Sequence, residues 1–414
     1  MVSRAVGPLM SDTHDLGSAS GRENELATPW GTVILERYPF DAREKLRAWD
    51  AADEYLLNTL IEHLPQWIPD NARILVFNDQ FGALGISLRK FLPVAMNAWQ
   101  GEIVSVSDSW IANAGSIENQ KRNGLDAETS CSPLELPEGP FDLLLYKLPK
   151  NLAYFEDMLQ RFRVLLKPGA MVIGAAMVKY LPASVQPMLT AKIGSTSASL
   201  AWKKARVLVS QCDTQQPGHS GPAIASYSLP EYELVLRSFS NVFSRQQLDI
   251  GTRLFLPVIP QLQHSALSGE PPVIVDLACG NGVVGLVAAR RNPTARLILT
   301  DESAMAIASA KENFMAYFPE REVSFMQTDA LRGVEKASAD WVLCNPPFHE
   351  QNAVGDHIAT RMFRQAKDVL KPGGRFLIVG NRHLGYHLKL KRLFGNVHVE
   401  ASNQKFVVLC SVKH

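Results

Sequence analysis

The chain repeats itself. Arg73–Leu88 (RILVFNDQFGALGISL) runs alongside Val273–Ala288 (VIVDLACGNGVVGLVA), and the pairing sets Gly82 on Gly282 and Gly85 on Gly285. Phe141–Lys150 (FDLLLYKLPK) then matches Ala339–Phe348 (ADWVLCNPPF), with Asp142 on Asp340 and Pro149 on Pro347. RFRVLLKPGAMVIGA follows QAKDVLKPGGRFLIVG, and late in each half AWKKARVLVSQC resembles NQKFVVLCSVKH. Matches that keep their order at a separation of about 200 residues point to two domains of like fold, not one large core.

Each half alternates strand and helix. VIVDLA, RLILT, VSFMQ, WVLCN and RFLIVG are short β-rich apolar runs, of the kind buried on both faces of a parallel sheet. Between them lie helical stretches such as SAMAIASAKENFMAYF, with Ser303 as N-cap, and IATRMFRQAKDVL. The expected fold class is therefore α/β, two tandem doubly wound domains spanning about 31–212 and 229–414. Residues 213–228, containing DTQQPGHSGPAIAS, read as a linker, and residues 1–30 as a loose tail rich in Gly, Ser and charge.

A net charge of +1 creates no global attraction to nucleic acid or membrane, so any basic patch must be local. The five cysteines are scattered without a CxxC pair, which fits a reducing cytoplasm and no metal site. The first residues lack a signal-peptide core, and no run approaches the ~20 apolar residues of a membrane helix.

After VIVDLA comes Gly280-Asn281-Gly282-Val283-Val284-Gly285, a GxGxxG, and Asp301 ends the next strand. By spacing alone this fits a dinucleotide site, or a closely packed strand–turn–helix. Asp276 shifts the reading. A carboxylate just before the turn disfavours pyrophosphate and suits a cationic ligand such as S-adenosylmethionine. Asp301 would then accept from the ribose diol, and Asp329, ending the third strand, from the adenine amine. Each acid alone could be a loop residue or a helix cap. Three at consecutive strand ends mark a ligand edge, since open α/β sheets bind outside the carboxyl ends of their strands.

Asn345-Pro346-Pro347-Phe348 stops the fourth strand. An amine conjugated to a base or an acyl group is a poor nucleophile because its lone pair is delocalised. The Asn345 side-chain oxygen and the Pro346 carbonyl could accept its two hydrogens and localise that pair. The prolines preorganise both acceptors. Phe348 offers a stacking face, worth ~1–3 kcal/mol in single-stranded nucleic-acid sites. His349 reads as a loop residue.

On DLACGNG and NPPF the second half resembles a Class I S-adenosylmethionine-dependent methyltransferase with a Rossmann-like fold. The tandem layout, AWDAADEYLL, NVFSRQQLDIG, DESAMA, LCNPPFH and NRHLGYHLKLKRLFGN are similar to the ribosomal RNA guanine-N2 methyltransferases, closest to those of the large subunit. The resemblance implies methyl transfer to the N2 amine of a specific guanine in 23S ribosomal RNA, naked or partly assembled. The guanine must be unpaired or flipped out to be reached. The candidate cofactor set is Asp276, Ala278, Gly280, Asn281, Gly282, Asp301, Glu302, Asp329, Ala330 and Asn345. The candidate catalytic set is Asn345, Pro346 and Phe348. Phe243 and Ser244 either cover the cofactor and shape the target pocket or serve packing.

The first half departs from this pattern. Val76 replaces Asp276, Gln80 replaces Gly280, and Lys147 stands where Asn345 would. An ammonium has donors and no acceptor, so this copy is expected to bind no cofactor and to be degenerate. Its role is structural support or RNA recognition through Lys147, Lys150, Lys203, Lys204 and Arg206. Lys389, Lys391 and Arg392 form a second basic cluster. Rival functions remain: small-subunit guanine-N2, adenine-N6 or glutamine-N5 methylation, a nicotinamide-dependent oxidoreductase, and a non-catalytic RNA binder.

Overall fold

A computed structural model describes residues 24–41, 45–97, 99–213, 218–261, 270–347 and 353–414. The described chain divides into two compact units, one ending at Gly221 and one beginning at Pro222; the second also takes in Asp108–Ile111.

The first unit opens with a hairpin of β1 (Glu25–Thr28) and β2 (Gly31–Ile34). Then follow α1 (Ala51–Glu62), α2 (Leu64–Trp67), β3 (Arg73–Phe77), α3 (Ala83–Ala95), β4 (Glu102–Val106), α4 (Trp110–Arg122) and β5 (Phe141–Lys147). It closes with α5 (Leu152–Arg163), β6 (Leu166–Met177), α6 (Val185–Lys192), β7 (Thr196–Ala198) and β8 (Ala205–Gln211). The sheet order is β4-β3-β5-β6-β8-β7.

The second unit begins with a hairpin of β9 (Ile224–Leu229) and β10 (Leu234–Phe239), then α7 (Ile250–Phe255). Its α/β layers are β11 (Val273–Leu277), α8 (Val283–Arg291), β12 (Arg296–Asp301), α9 (Ala304–Tyr317), β13 (Val323–Gln327), β14 (Ala339–Cys344) and α10 (Ala353–Val369). β15 (Leu370–Asn381), α11 (Tyr386–Phe394), β16 (His398–Ser402) and β17 (Phe406–Val412) complete it. The order is β13-β12-β11-β14-β15-β17-β16, parallel from β13 to β15, with β17 antiparallel to both neighbours. The α/β class is as expected. The chain leaves β11 toward one edge and returns on its other side at β14, so the switch point lies between their carboxyl ends.

Every residue of β11 is buried, as a central parallel strand requires. Alternation splits its side chains between two cores. Ile274 packs with Leu297, Leu299 and Phe314, while Val275 and Leu277 pack with Val342, Phe363 and Phe376. Asp276 shares the parity of Ile274, and this aims its carboxyl at the start of α8.

The duplication extends to hydrogen bonds. Asp142 accepts from the Arg73 N–H at 2.9 Å and pairs with Lys167 at 2.6 Å. Asp340 accepts from the Val273 N–H at 2.8 Å and pairs with Lys371 at 2.7 Å. The copies differ at one sheet edge. No described strand of the first unit corresponds to β13; a single parallel bridge, Val106 to Cys131, stands there instead.

Two boundary expectations change. The loose tail was expected to reach residue 30, but Glu25–Thr28 forms β1, whose Leu26 is buried. Leu26 and Val33 supply the hairpin with an apolar face that composition alone hides. The remainder of that tail, residues 1–23, lies outside the described residues. The linker was expected to run to residue 228, but β9 starts at Ile224 and pairs with β10 along its length. Alternating burial in IASYSL marks it as a one-sided strand.

Candidate active site

The glycine turn is tied from beneath and from the side. Asp276 Oδ2 accepts from the Gly285 N–H at 2.8 Å, holding the first turn of α8 on β11. Asp301 Oδ2 accepts from the Gly280 N–H at 3.0 Å, and its Oδ1 from the Ser303 N–H at 3.0 Å. Ser303 in turn caps α9, as expected, by accepting from the Ala306 N–H. Burial pushes the Asp276 carboxyl up to about 7, against the pull of the Gly285 N–H and with help from the Asp301 charge. Asp276 was expected to face a cationic ligand. It is buried under the turn, so any influence on a ligand acts through that turn and its charge.

Backbone strain gathers at the same edge. Ala278 and Ala330 take φ values of 60° and 53°, left-handed conformations that cost an alanine roughly 1–2 kcal/mol. In the first unit the position of Ala278 is held by Asn78, also left-handed at φ 61°, a residue that tolerates this region. Gly280, at φ 55°, faces open space: among the described residues a Cβ there would meet nothing within 4 Å. Gly282 is different, because its Cβ would lie 3.0 Å from that of Ala310.

Asn345 follows β14 at the switch point. Its Nδ2 donates to Thr252 Oγ1 at 2.7 Å and lies 3.4 Å from Asp249 Oδ2. Its Oδ1 is buried and has no hydrogen-bond partner among the described residues. A buried acceptor without a donor is rare and costly, so this oxygen stands ready for a donor from a ligand. Pro346 is buried and Pro347 exposed; Phe348 lies outside the described residues.

Asp329 and Ala330 close the far side. Asp329 Oδ1 pairs with the Arg361 guanidinium of α10 at 2.8 Å. One turn on, Gln365 Oε1 accepts from the Leu331 N–H at 2.7 Å, so α10 braces this loop twice. Burial pushes the Asp329 carboxyl up, and Arg361 and Arg332 pull it back.

Asn281, in the candidate cofactor set, has its side chain engaged by protein. Its Nδ2 donates to Tyr227 and Ser238 of the β9–β10 hairpin and its Oδ1 accepts from the Val283 N–H. The side chain is spent on fixing that hairpin. Glu302 is turned toward the Ser109 hydroxyl, and burial pushes its carboxyl up to about 7. Phe243 is 67% exposed, which removes the packing reading, and the left-handed Ser244 donates to the Gln247 carbonyl. In the first unit Lys147, expected to face RNA, is half-buried and has its charge paired with Asp50 and Asp53. Lys203 is paired with Glu54, while Lys150, Lys391 and Arg392 are exposed.

Sequence reasoning missed Asp249, Thr252, Arg361 and Gln365. The signal for the first two was the Asp-x-x-Thr spacing of an N-cap, which Asp249 provides to α7 by accepting from the Thr252 N–H at 2.9 Å. Arg361 and Gln365 share one face of α10 at a spacing of four.

The donor set fits S-adenosylmethionine: carboxylates at three strand ends, an open glycine, and an unpartnered amide oxygen. Among the described residues no cluster of His, Cys, Asp or Glu could hold a metal, and no helix is long and apolar enough to cross a membrane.

Residues 23–215 match the family described as RLMG N-terminal domain, and residues 233–410 the methyltransferase small domain. A ribosomal RNA large subunit methyltransferase G of Stutzerimonas stutzeri is 45% identical over 94% of this chain and 99% of its own length. Its counterpart in Pseudomonas paraeruginosa is 46% identical over 92% of this chain and 98% of its own. Among solved structures, the T. thermophilus 16S rRNA N2 guanine methyltransferase, bound to AdoMet and guanosine, superposes with a TM-score of 0.69. It is 20% identical and covers 94% of this chain and 97% of its own, a likeness of fold. By its identity to those relatives over nearly the whole of its length, the chain belongs to the ribosomal RNA large subunit methyltransferase G family.

Proposed function

We propose that the second unit transfers a methyl group from S-adenosylmethionine to the exocyclic N2 amine of a specific guanine in large-subunit (23S) ribosomal RNA. The observation that carries this is Asn345, whose nitrogen is held by Thr252 and whose buried oxygen has no donor among the described residues. When bound, the cofactor supplies an electrophilic methyl on a sulfonium whose leaving group is a neutral thioether. Little acid–base power is then asked of the protein. Asn345 Oδ1 accepts one amine hydrogen and the Pro346 carbonyl the other, which localises the nitrogen lone pair toward the methyl. The proton released from nitrogen passes to water. Asp301 and Asp329 hold the ribose and adenine, and Gly280 leaves room for the methionine end.

The relatives' names and the AdoMet and guanosine of the solved neighbour support the same reaction and cofactor. The nicotinamide alternative gains nothing from the site, because Asp276 under the glycine turn disfavours a pyrophosphate. We take the substrate to be naked or partly assembled RNA in the cytoplasm. We take about 31–212 as a silent copy that supports its partner or binds RNA, and about 229–414 as the catalytic domain.

Two measurements test the proposal. Mass-spectrometric mapping of large-subunit RNA from a strain lacking this chain should show one N2-methylguanine missing. Asn345→Ala should abolish transfer while AdoMet binding survives; near-parental turnover by that variant would refute the acceptor mechanism.

A further inference from the structure

The structure assigns to Thr252 and Asp249 a positioning role in this reaction: together they fix which end of the Asn345 amide faces the substrate. The assignment rests on the methyl-transfer reading. An amide has a donor end and an acceptor end of nearly the same shape, and only the acceptor end can bind an amine hydrogen. Something must choose between them.

The choice is made by a directional chain. Asp249 is a carboxylate, which only accepts. It takes the Thr252 N–H at 2.9 Å and lies 3.4 Å from the Thr252 hydroxyl, which can donate to nothing nearer among the described residues. With that proton turned toward Asp249, the Thr252 oxygen offers lone pairs to Asn345. It lies 2.7 Å from Asn345 Nδ2, and Asp249 Oδ2 lies 3.4 Å from the same nitrogen. Two acceptors at one end force the NH2 there and leave Oδ1 at the other, buried and without a partner among the described residues. A flipped amide would set its oxygen against the Asp249 charge and aim donors at the incoming amine.

The first unit supplies an internal control. Asp50 caps α1 as Asp249 caps α7, and Asp53 sits three residues on, like Thr252. There the matching residue is Lys147, the last of β5, donating to both at 2.7 and 2.8 Å. The cap-and-third-residue pair is thus a receptor for donors in both copies. Only in the second copy does the donor carry an acceptor on its far side.

The test uses the full chain, with AdoMet binding by calorimetry, thermal melts, and single-turnover methyl transfer to protein-free large-subunit RNA from a strain lacking the chain. T252S keeps the hydroxyl and should transfer within about threefold of the parent. T252V removes the acceptor and should slow transfer by about a hundredfold, the scale of losing one preorganised polar contact, with AdoMet affinity within about threefold. D249N keeps the helix cap but adds donors facing the amide, and should slow transfer at least about tenfold; it decides the matter should T252V not fold. Parental rates in T252V and D249N overturn the assignment. So does a loss of AdoMet affinity in step with rate, which would place Thr252 on the cofactor instead. A parent that neither binds AdoMet nor transfers methyl fails on a different measurement, and that failure is of the methyl-transfer reading itself.

Discussion

Lys147 Nζ lies 2.8 Å from Asp53 Oδ2 and 2.7 Å from Asp50 Oδ1, filling the place that Asn345 holds against Thr252 and Asp249 in the other copy. The two exchanges compensate. An extra positive charge at the strand end goes with an extra negative charge on the helix, with Asp53 buried and Lys147 half-buried. Lys147→Met would strand Asp53, whose carboxyl burial already pushes up, and should cost about 3–5 kcal/mol. Burial pulls the Lys147 pKa down, but the two carboxylates together outweigh it and the pKa is raised. Its stabilisation is therefore full below the unfolded value of about 10.4 and is lost as pH rises through the higher folded value. Urea unfolding of the full chain checks the magnitude, and K147N with D53T should recover most of the loss. AdoMet stoichiometry should stay at one per chain throughout.

Two glycines of one motif should answer differently to alanine. At Gly282, φ is 82° and the new Cβ would stand 3.0 Å from Ala310, so strain of roughly 1–2 kcal/mol adds to overpacking of about 1–3 kcal/mol. At Gly280 only the strain applies, since nothing among the described residues lies within 4 Å. G282A should therefore lower the melting temperature sharply. G280A should melt close to the parent yet lose AdoMet affinity, because its methyl enters the space a ligand needs. Equal melting points with equal affinities would remove the ligand role of Gly280.

The glycine turn, the three acids and the strand-ending asparagine were legible because each is bound to a strand end, and strand ends follow from apolar periodicity. What the sequence hid is the partner of each polar group. Asp276 looked like a ligand contact, but the pleat turns it under α8 toward Gly285. Asn281 sits inside the motif yet is spent on the β9–β10 hairpin, a pairing no local pattern reveals. The missing counterpart of β13 was equally silent, since the repeat carries no mark of a strand reduced to the Val106–Cys131 bridge. Thr252 reaches Asn345 across 93 residues, and only the fold joins them.

Arg361 should matter to the adenine end of the cofactor. It holds Asp329 at 2.8 Å, and the Asp329 side chain is only 5% exposed. Arg361→Met removes the main pull keeping that carboxyl ionised and oriented. AdoMet affinity near pH 7 should fall about tenfold, the equivalent of ~1.4 kcal/mol. The inosine analogue of S-adenosylhomocysteine, which lacks the adenine amine, should lose far less between parent and variant than S-adenosylhomocysteine itself. Equal losses for the two ligands would show that Arg361 props the loop without acting through Asp329.

Asp276 gives the site a pH dependence whose sign is fixed. Burial raises its carboxyl to about 7. Asp301, Cys279 and Cys344 are the titratable neighbours, and the two thiols are themselves pushed up and stay neutral. A sulfonium nearby favours the ionised form, so AdoMet should bind more tightly as pH rises from about 6 to about 8. S-adenosylhomocysteine lacks that charge and is the control; the ratio of the two affinities should climb across the window. Folding carries the opposite sign. The folded pKa lies above the unfolded value of about 3.9, so the stability this group contributes is present below that value and lost as pH rises toward 7. Glu302, also at about 7, and Asp79, at about 6, add slopes of the same sign. Asp276→Asn should therefore flatten more of the affinity ratio than of the stability profile, since Asp301 and Glu302 still titrate. Calorimetric titration of both ligands with parent and variant, beside melts at the same pH values, separates the two effects, and a ratio already flat in the parent would sever Asp276 from the methyl donor.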